Sequence, residues 1–215
     1  MKKSILSVVL ISVFIIAGCG EKAKEMQQAM DIIQKAPEIA KNMEQGTKDA
    51  EKRRQERIKK GDTLAIPFTE LQKFLPENIS GYTAGEIDGQ TTNITGFSVT
   101  EVKRNFTKRV PAGDENYIRI ELYDYNQAGQ LYEGLTAVWA LGISVESTEK
   151  SEKTFTPGFS PAVGFQSYNK KSKEASVTIG IAWRFYLTMH ANNQTSCDYL
   201  IGIANSMRLK ELANK

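Results

Sequence analysis

The side chains that could support nucleophilic catalysis are scarce in this sequence. His190 is the only histidine, and no Gly-x-Ser-x-Gly motif surrounds any serine. A serine or cysteine nucleophile needs a neighbouring base, and a single histidine offers few ways to build one. The sequence also has no phosphate-binding loop, dinucleotide fingerprint, HExxH motif or EF-hand loop. We therefore predict no catalytic residue of these classes, no metal and no cofactor, and we interpret His190 as an ordinary residue at a strand end.

Pairs of carboxylates are another route to acid–base chemistry, because two acids from distant parts of a chain can meet in the fold. The candidates are Glu101, Glu121 and Asp124. A surface or capping role is the simpler interpretation of each. These acids leave open an alternative function, a small-ligand carrier or hydrolase that uses a carboxylate–tyrosine pocket.

Tyrosine and arginine share one face of the predicted strand at residues 117–125. The strand alternates, so that the apolar side chains of Ile118, Ile120 and Leu122 face one way and the aromatic and charged ones face the other. Tyrosine and arginine are common anchors of protein interfaces. A binding surface is therefore one interpretation of this face, and burial under helices is the other. The candidate partner-binding residues are Arg119, Tyr123 and Tyr125, with Arg184 and Tyr186 on a second strand expected to present a similar face.

The N-terminus carries a targeting signal. Lys2 and Lys3 precede an apolar run at residues 5–17, which is shorter than the roughly 20 residues of a spanning helix and typical of a signal peptide. The run ends in Ile16-Ala17-Gly18-Cys19, which resembles a bacterial lipobox. That resemblance implies a signal peptide at residues 1–18, cleavage between Gly18 and Cys19, and a lipid on the cysteine. An ordinary signal peptide is the alternative.

Lipidation would place the protein in the cell envelope. In lipoproteins generally, a glycine such as Gly20 after the lipidated cysteine implies the outer membrane of a two-membrane cell, facing the periplasm. The membrane, reached through the lipid on Cys19, is then one partner, and nucleic acid is not expected. Cys197 is left without a partner in the chain, so we interpret it as a small buried residue, with a reactive thiol as the alternative.

Residues 19–61 are predicted to form a charged, partly helical tether behind the lipidated cysteine. The segment 21–60 has 11 basic and 8 acidic residues and is rich in good helix formers. Pro37 is expected to split it into two helices. Two short apolar stripes, one of Met26, Met30 and Ile33 and one of Ile39 and Met43, allow either a solvated spacer or a helix that lies on a membrane or a partner. A basic cluster follows, which could contact anionic head groups: Lys52, Arg53, Arg54, Arg57, Lys59 and Lys60.

Residues 62–215 are predicted to form one globular domain. A short helix is expected at 67–75, strands at 82–88, 96–107 and 117–125, and a helix after Asn126 that ends near Gly142. Its core stripe is predicted as Ala128, Leu131, Tyr132, Leu135, Val138 and Trp139. Four or five further strands follow, including a hairpin that turns at 180–183, and a helix at 195–212 opens with a capping pair of Thr195 and Asp198.

This order predicts an α+β fold in which an antiparallel β-sheet is covered by helices. The pattern resembles small α/β sandwiches of the PsbP-like kind, which bind larger assemblies. The segment Leu75-Pro-Glu-Asn-Ile-Ser-Gly-Tyr82, together with Arg184-Phe185, resembles uncharacterised bacterial lipoproteins of this size. Neither resemblance implies an active site, because neither brings a catalytic motif.

The composition is that of a globular protein. The chain has 215 residues, 40% of them hydrophobic, and 28 basic against 25 acidic side chains. These values exclude collagen, a Pro/Gly-rich polymer and a polytopic membrane protein. The function we expect is that of a non-enzymatic, membrane-anchored envelope lipoprotein whose domain binds a protein or a surface polymer.

Overall fold

The computed structural model describes residues 21–110, 115–126, 128–136, 139 and 142–215. The predicted signal peptide and lipobox lie outside these residues, and the side chains of both predicted tether stripes lie outside the described part of the first helix. The helices are α1 (Glu21–Lys59), α2 (Phe68–Leu71), α3 (Gly129–Thr136), α4 (Asp198–Ser206) and α5 (Leu209–Leu212). The strands are β1 (Thr83–Ile94), β2 (Phe97–Arg109), β3 (Glu115–Asp124), β4 (Ser144–Glu146), β5 (Lys150–Phe155), β6 (Ala162–Asn169), β7 (Glu174–Ile181) and β8 (Phe185–Ala191).

All eight strands form one antiparallel sheet in the order β1-β2-β3-β8-β7-β6-β5-β4. Two meanders, β1 to β3 and β4 to β8, join where β3 pairs with β8. The connection through α3 carries the chain from the middle of the sheet to its far edge. The predicted α+β class with an antiparallel sheet is confirmed.

The main core lies on one face of the sheet, which we call the apolar face. Its central strands contribute the buried side chains that alternation predicts, such as Ile120 of β3, Leu187 of β8 and Ile179 of β7. Two groups of helical side chains cover them. Leu71 of α2 and Phe74 of the following 3₁₀ turn belong to one group, and α4 and α5 supply the other with Leu200, Ile203, Ala204, Leu209 and Leu212.

The chain divides into two compact units, residues Met1–Glu38 and Ile39–Lys215. The second half of α1 therefore belongs to the same unit as the sheet, and the predicted domain boundary at residue 62 falls inside that unit. Pro37 was expected to split the tether, but α1 runs through it. A proline inside a helix removes one main-chain hydrogen bond, and Pro37 is exposed to solvent.

Several local predictions need correction. The predicted strands at 82–88 and 96–107 left residues 89–93 outside the sheet, but these residues continue β1, and a register shift lies in β1 between Ala84 and Ile87. Strand β2 keeps one alternation throughout, because the polar side chains of Ser98 and Thr100 are buried on the same face as Val102.

The two predicted long helices differ from expectation. Helix α3 is described over Gly129–Thr136, and Val138 of its predicted stripe lies outside the described residues. The stripe is only partly buried: Tyr132 is 4% exposed, whereas Leu131 is 51% and Leu135 40% exposed. The C-terminal helix divides into α4 and α5, and Ser196 rather than Thr195 bonds to Asp198 at its start, with Ser196 Oγ accepting from the Asp198 amide at 3.1 Å. The predicted hairpin between β7 and β8 is confirmed.

Candidate functional site

The second face of the sheet, which we call the polar face, carries polar and aromatic side chains. Cross-strand pairing aligns Arg119 of β3 with His190 of β8, which in turn aligns with Ser176 of β7. The same row continues to Ser167 of β6 and Glu152 of β5. Directly paired residues lie on the same side of a sheet. Five strands thus present one continuous polar row.

A groove of about 430 Å³ runs along part of this face, and we call it the polar groove. Arg119, Tyr117 and His190 line it and are exposed, so the groove has a cation, an aromatic ring and an imidazole within reach of solvent. Arg119 Nε donates to Asn105 Oδ1 at 3.3 Å. Among the described residues Arg119 forms no ion pair, so its charge is available to a partner.

Three of the predicted binding residues form an aromatic cluster beside the groove. The rings of Tyr123 and Tyr125 stack with centroids 5.6 Å apart, and Tyr186 meets them edge-on at 6.2 and 6.4 Å. Trp139 stacks on Tyr186 at 5.9 Å and on Phe165 at 6.2 Å. Trp139 therefore covers one end of the polar face. The aromatic end of this face is covered, its Arg119 end is open to solvent, and partner binding at the open end stays a prediction.

The hydroxyl of Tyr123 lies between two carboxylates. Its Oη donates to Glu121 Oε2 at 3.2 Å and approaches Glu101 Oε1 at 3.4 Å. Burial, and then the negative charges of Glu121 and Glu101, raise the pKa of Tyr123 well above its ordinary value. Burial also raises the pKa of Tyr125 to about 12 and that of Tyr186. These hydroxyls are therefore proton donors rather than bases at neutral pH.

Arg184 does not lie on this face, which corrects its predicted role in partner binding. Its side chain is 2% exposed and pairs with the fully buried Asp124 through two hydrogen bonds of 2.8 Å. A second contact of 2.6 Å joins its Nη1 to Asp62 Oδ2. Burial alone would lower the pKa of Arg184, but the two carboxylates outweigh burial and raise it. Arg184 thus stabilises the fold, and Asp124 is its buried partner rather than an acid of a ligand pocket.

This ion pair extends into a hydrogen-bond network that ties the end of α1 to the sheet. Asp124 Oδ2 accepts from the Ile66 amide at 2.8 Å, and Asn126 donates to the main-chain oxygen of Leu64 at 2.8 Å. Arg57 Nε donates to Asn126 Oδ1 at 2.9 Å. Two other arginines of the predicted basic cluster are also engaged in contacts within the chain. Arg53 stacks on Trp183 at 5.1 Å, and Arg54 pairs with Glu51 at 3.0 Å.

The remaining reactive side chains are engaged in ordinary structural contacts. Cys197 is buried at the start of α4, and its Sγ donates to the main-chain oxygen of Ser167 at 3.3 Å. Burial raises the pKa of this thiol, which disfavours the reactive thiolate. The interpretation of Cys197 as a buried residue is confirmed. His190 is exposed near the end of β8, with Nε2 at 3.1 Å from Thr188 Oγ1.

The described residues form neither a metal site nor a membrane-spanning helix. Within the described ranges, no three His, Cys, Asp or Glu side chains converge in the way a metal site requires. None of the helices in the part of the chain that the structure describes is long and apolar enough to span a membrane.

Sequence reasoning missed contacts between residues that are far apart along the chain. Trp139 was predicted as part of a core stripe and is buried, but its stacking on Phe165 of β6 was not predicted, because only the fold brings the two rings together. Asp62 was taken as the start of the domain and not as a partner of Arg184, which lies 122 positions later. No local pattern encodes such a pair. Comparison of the chain with protein-family models, curated proteins and solved structures finds no match.

Proposed function

We propose that this protein is a membrane-anchored, non-enzymatic binding module of the cell envelope. A lipid on Cys19 holds it at the membrane, outward-facing in a one-membrane cell and periplasmic on the outer membrane of a two-membrane cell. The charged segment 19–61 links this anchor to the domain. The domain binds a protein or surface-polymer partner through the open end of its polar face.

One observation carries this proposal: the open end of the polar face combines Arg119, which is exposed and forms no ion pair among the described residues, with the exposed aromatic ring of Tyr117 beside a groove. Arginine and tyrosine supply charge-assisted hydrogen bonds and a rigid apolar surface, which are the usual anchors of an interface. The half-buried cluster of Tyr123, Tyr125 and Tyr186 adds a firm aromatic rim next to it.

The experiment is crosslinking in living cells, followed by mild-detergent purification of the full-length protein and mass spectrometry. Arg119→Glu reverses the charge of the open face. Lys210→Glu makes the same change on the exposed surface of α5, which packs against the opposite face of the sheet. We expect Arg119→Glu to lose the partner and Lys210→Glu to keep it, with thermal melting of both variants unchanged. A partner retained equally by both variants would contradict the proposal.

The second candidate is a small-ligand carrier or hydrolase built on Tyr123, Glu101 and Glu121, favoured by their contacts of 3.2 and 3.4 Å. The hollow that Glu101 borders measures about 110 Å³. Small-molecule sites usually measure about 300–1,000 Å³, so this hollow is too small for a substrate of ordinary size. Tyr123→Phe should therefore leave partner capture intact. Loss of a copurifying small molecule in that variant would favour the carrier.

A further inference from the structure

A second groove, of about 690 Å³, lies between α1 and the start of α3, and we call it the helix groove. This volume falls within the range of about 300–1,000 Å³ that is typical of small-molecule sites. One face of α1, the turn between β1 and β2, the beginning of α3 and Trp183 form its walls. It is separate from the polar groove and shares no lining residue with it.

One wall of the helix groove is apolar and uncovered. Leu131 of α3 is 51% exposed, although Ala128 and Tyr132 of the same predicted stripe are buried. Phe97 faces it from the start of β2 and is half-buried. Its cross-strand partner Ile94 is 65% exposed. An aliphatic chain laid along this wall would remove apolar surface from water, which is favourable in proportion to the area covered.

Arg57 is a cation in the lining of the groove. Arg57 is half-buried, and among the described side chains it forms no ion pair, since Asp62 and Asp124 are both held by Arg184. Burial and the positive charge of Arg184 lower the pKa of Arg57. Its neighbour Arg54 differs, because Glu51 neutralises it. An anionic head group would supply the carboxylate that Arg57 lacks, through a charge-assisted hydrogen bond.

The backbone beside the groove is strained. Ala182 and Trp183 both adopt a left-handed conformation with φ of 53°, which is costly for side chains other than glycine. The turn places Trp183 in the groove wall, and the guanidinium carbon of Arg53 lies over its ring at 5.1 Å from the ring centre. Strain of this kind concentrates at binding sites, where it fixes a side chain in advance of the ligand.

We propose that the helix groove binds a free single-chain amphiphile with a carboxylate head group. Its aliphatic chain lies against Phe97, Leu131 and Trp183, and its carboxylate binds Arg57. This inference goes beyond the proposed function, because it assigns a small ligand to a different site and does not depend on a partner of the polar face.

The test is photo-crosslinking in living cells that express the full-length protein. The probe is a long-chain fatty acid with a diazirine on its chain and a terminal alkyne for capture. After irradiation, the protein is purified and the labelled peptides are mapped by mass spectrometry. We expect adducts on the peptides that contain Phe97, Leu131 or Trp183. Adducts confined to other segments would overturn the proposal.

Two leucines of α3 give a matched pair of variants. Leu131 lines the groove and Leu135 does not, yet both are exposed on the same short helix. Leu131→Gln should reduce photolabelling of the groove about fivefold. This is the loss of ligand affinity expected when part of one leucine side chain no longer packs against the aliphatic chain. Leu135→Gln should leave it unchanged. Equal labelling of both variants would count against the groove as the site.

Two further probes test the head group and the source of the ligand. The fatty alcohol with the same diazirine chain should label the groove about tenfold less, since it cannot pair with Arg57. A diazirine phospholipid should label it weakly, because the groove takes a free single-chain ligand. Equal labelling by the alcohol would refute the role of Arg57. Stronger labelling by the phospholipid would show contact with the membrane instead of a bound free amphiphile.

Discussion

At the scale of single residues, the ion pair between Arg184 and Asp124 stabilises one end of the central strands. Both side chains are buried, at 2% and 0% exposure, and each neutralises the other. Removing one partner of a buried pair leaves an uncompensated charge in a medium of low dielectric. Arg119 is the opposite case, since it is exposed and forms no ion pair among the described residues. Two arginines that look alike in the sequence therefore have different roles.

This contrast gives a stability prediction. Arg184→Met should lower the free energy of unfolding by about 3–5 kcal/mol, because Asp124 stays buried without its cation. Arg119→Met should change it by no more than about 0.5 kcal/mol, as is usual for an exposed site. Urea denaturation followed by tryptophan fluorescence measures both. A similar small effect of the two variants would show that the Arg184 pair does not stabilise the fold.

The half-buried Tyr125 predicts loss of stability in alkali. The pKa of Tyr125 is raised from 10.0 to about 12 by burial and by Tyr186. Between these two values the unfolded chain has lost the Tyr125 proton and the folded chain keeps it, so stability falls as the pH rises. Tyr125→Phe should flatten this fall. Parallel curves of unfolding free energy against pH for the variant and the natural protein would contradict the assignment.

At the scale of elements, periodicity predicted the sheet strands better than the helices. Strand β3 and the hairpin of β7 and β8 alternate cleanly, and both were located from the sequence. In α3 the same reasoning placed Leu131 and Leu135 in the core, but both side chains are exposed. An apolar stripe does not reveal whether the fold supplies a surface to cover it. The binding face was harder to predict: Arg119, Tyr123 and Tyr186 could be named from the sequence, but burial and the ion pair with Asp124 show that Arg184 does not belong to it.

Two glycine substitutions test how α3 and α4 are packed. A Cβ at Gly180 would lie 2.5 Å from Tyr132 Oη, whereas one at Gly202 meets nothing within 4 Å. Gly180→Ala should therefore destabilise the protein by about 1–3 kcal/mol, by displacing the ring that seats α3 on the sheet. Gly202→Ala should stabilise it by about 0.5–1 kcal/mol, because alanine favours an exposed helix.

Thermal melting of the two variants provides the measurement. Tyr132→Phe removes the closest of the clashing atoms, so the double variant Gly180→Ala/Tyr132→Phe should recover part of the lost stability. Additive losses in that double variant would mean that the ring of Tyr132 is not what Gly180 accommodates.

At the scale of the whole molecule, part of the first helix belongs to the domain that we propose to be anchored through a lipid. The compact unit that contains the sheet begins at Ile39, and Arg57 and Arg53 of α1 make contacts within it. Part of the predicted tether is thus built into the domain. The length of chain left to act as a spacer is correspondingly shorter than the 19–61 segment suggested by composition.

The anchor makes its own prediction. Cells fed an alkynyl fatty acid should label the natural protein, and Cys19→Ser should abolish the label and block cleavage after Gly18. Cys197→Ser should keep the label, because that thiol is buried in the domain. The mass of the mature N-terminal peptide checks the cleavage site. A label that survives Cys19→Ser would refute the lipobox assignment.

The most direct test of the central claim places a photoreactive residue on each face of the domain in turn. Tyr117 lines the polar groove and is 36% exposed, while Tyr199 on α4 is 41% exposed on the side of the apolar face. Each tyrosine is replaced by benzoylphenylalanine in the full-length protein, and the cells are irradiated. The account predicts that position 117 crosslinks to one abundant partner and that position 199 does not. Crosslinks from position 199 alone, or equally from both positions, would contradict it.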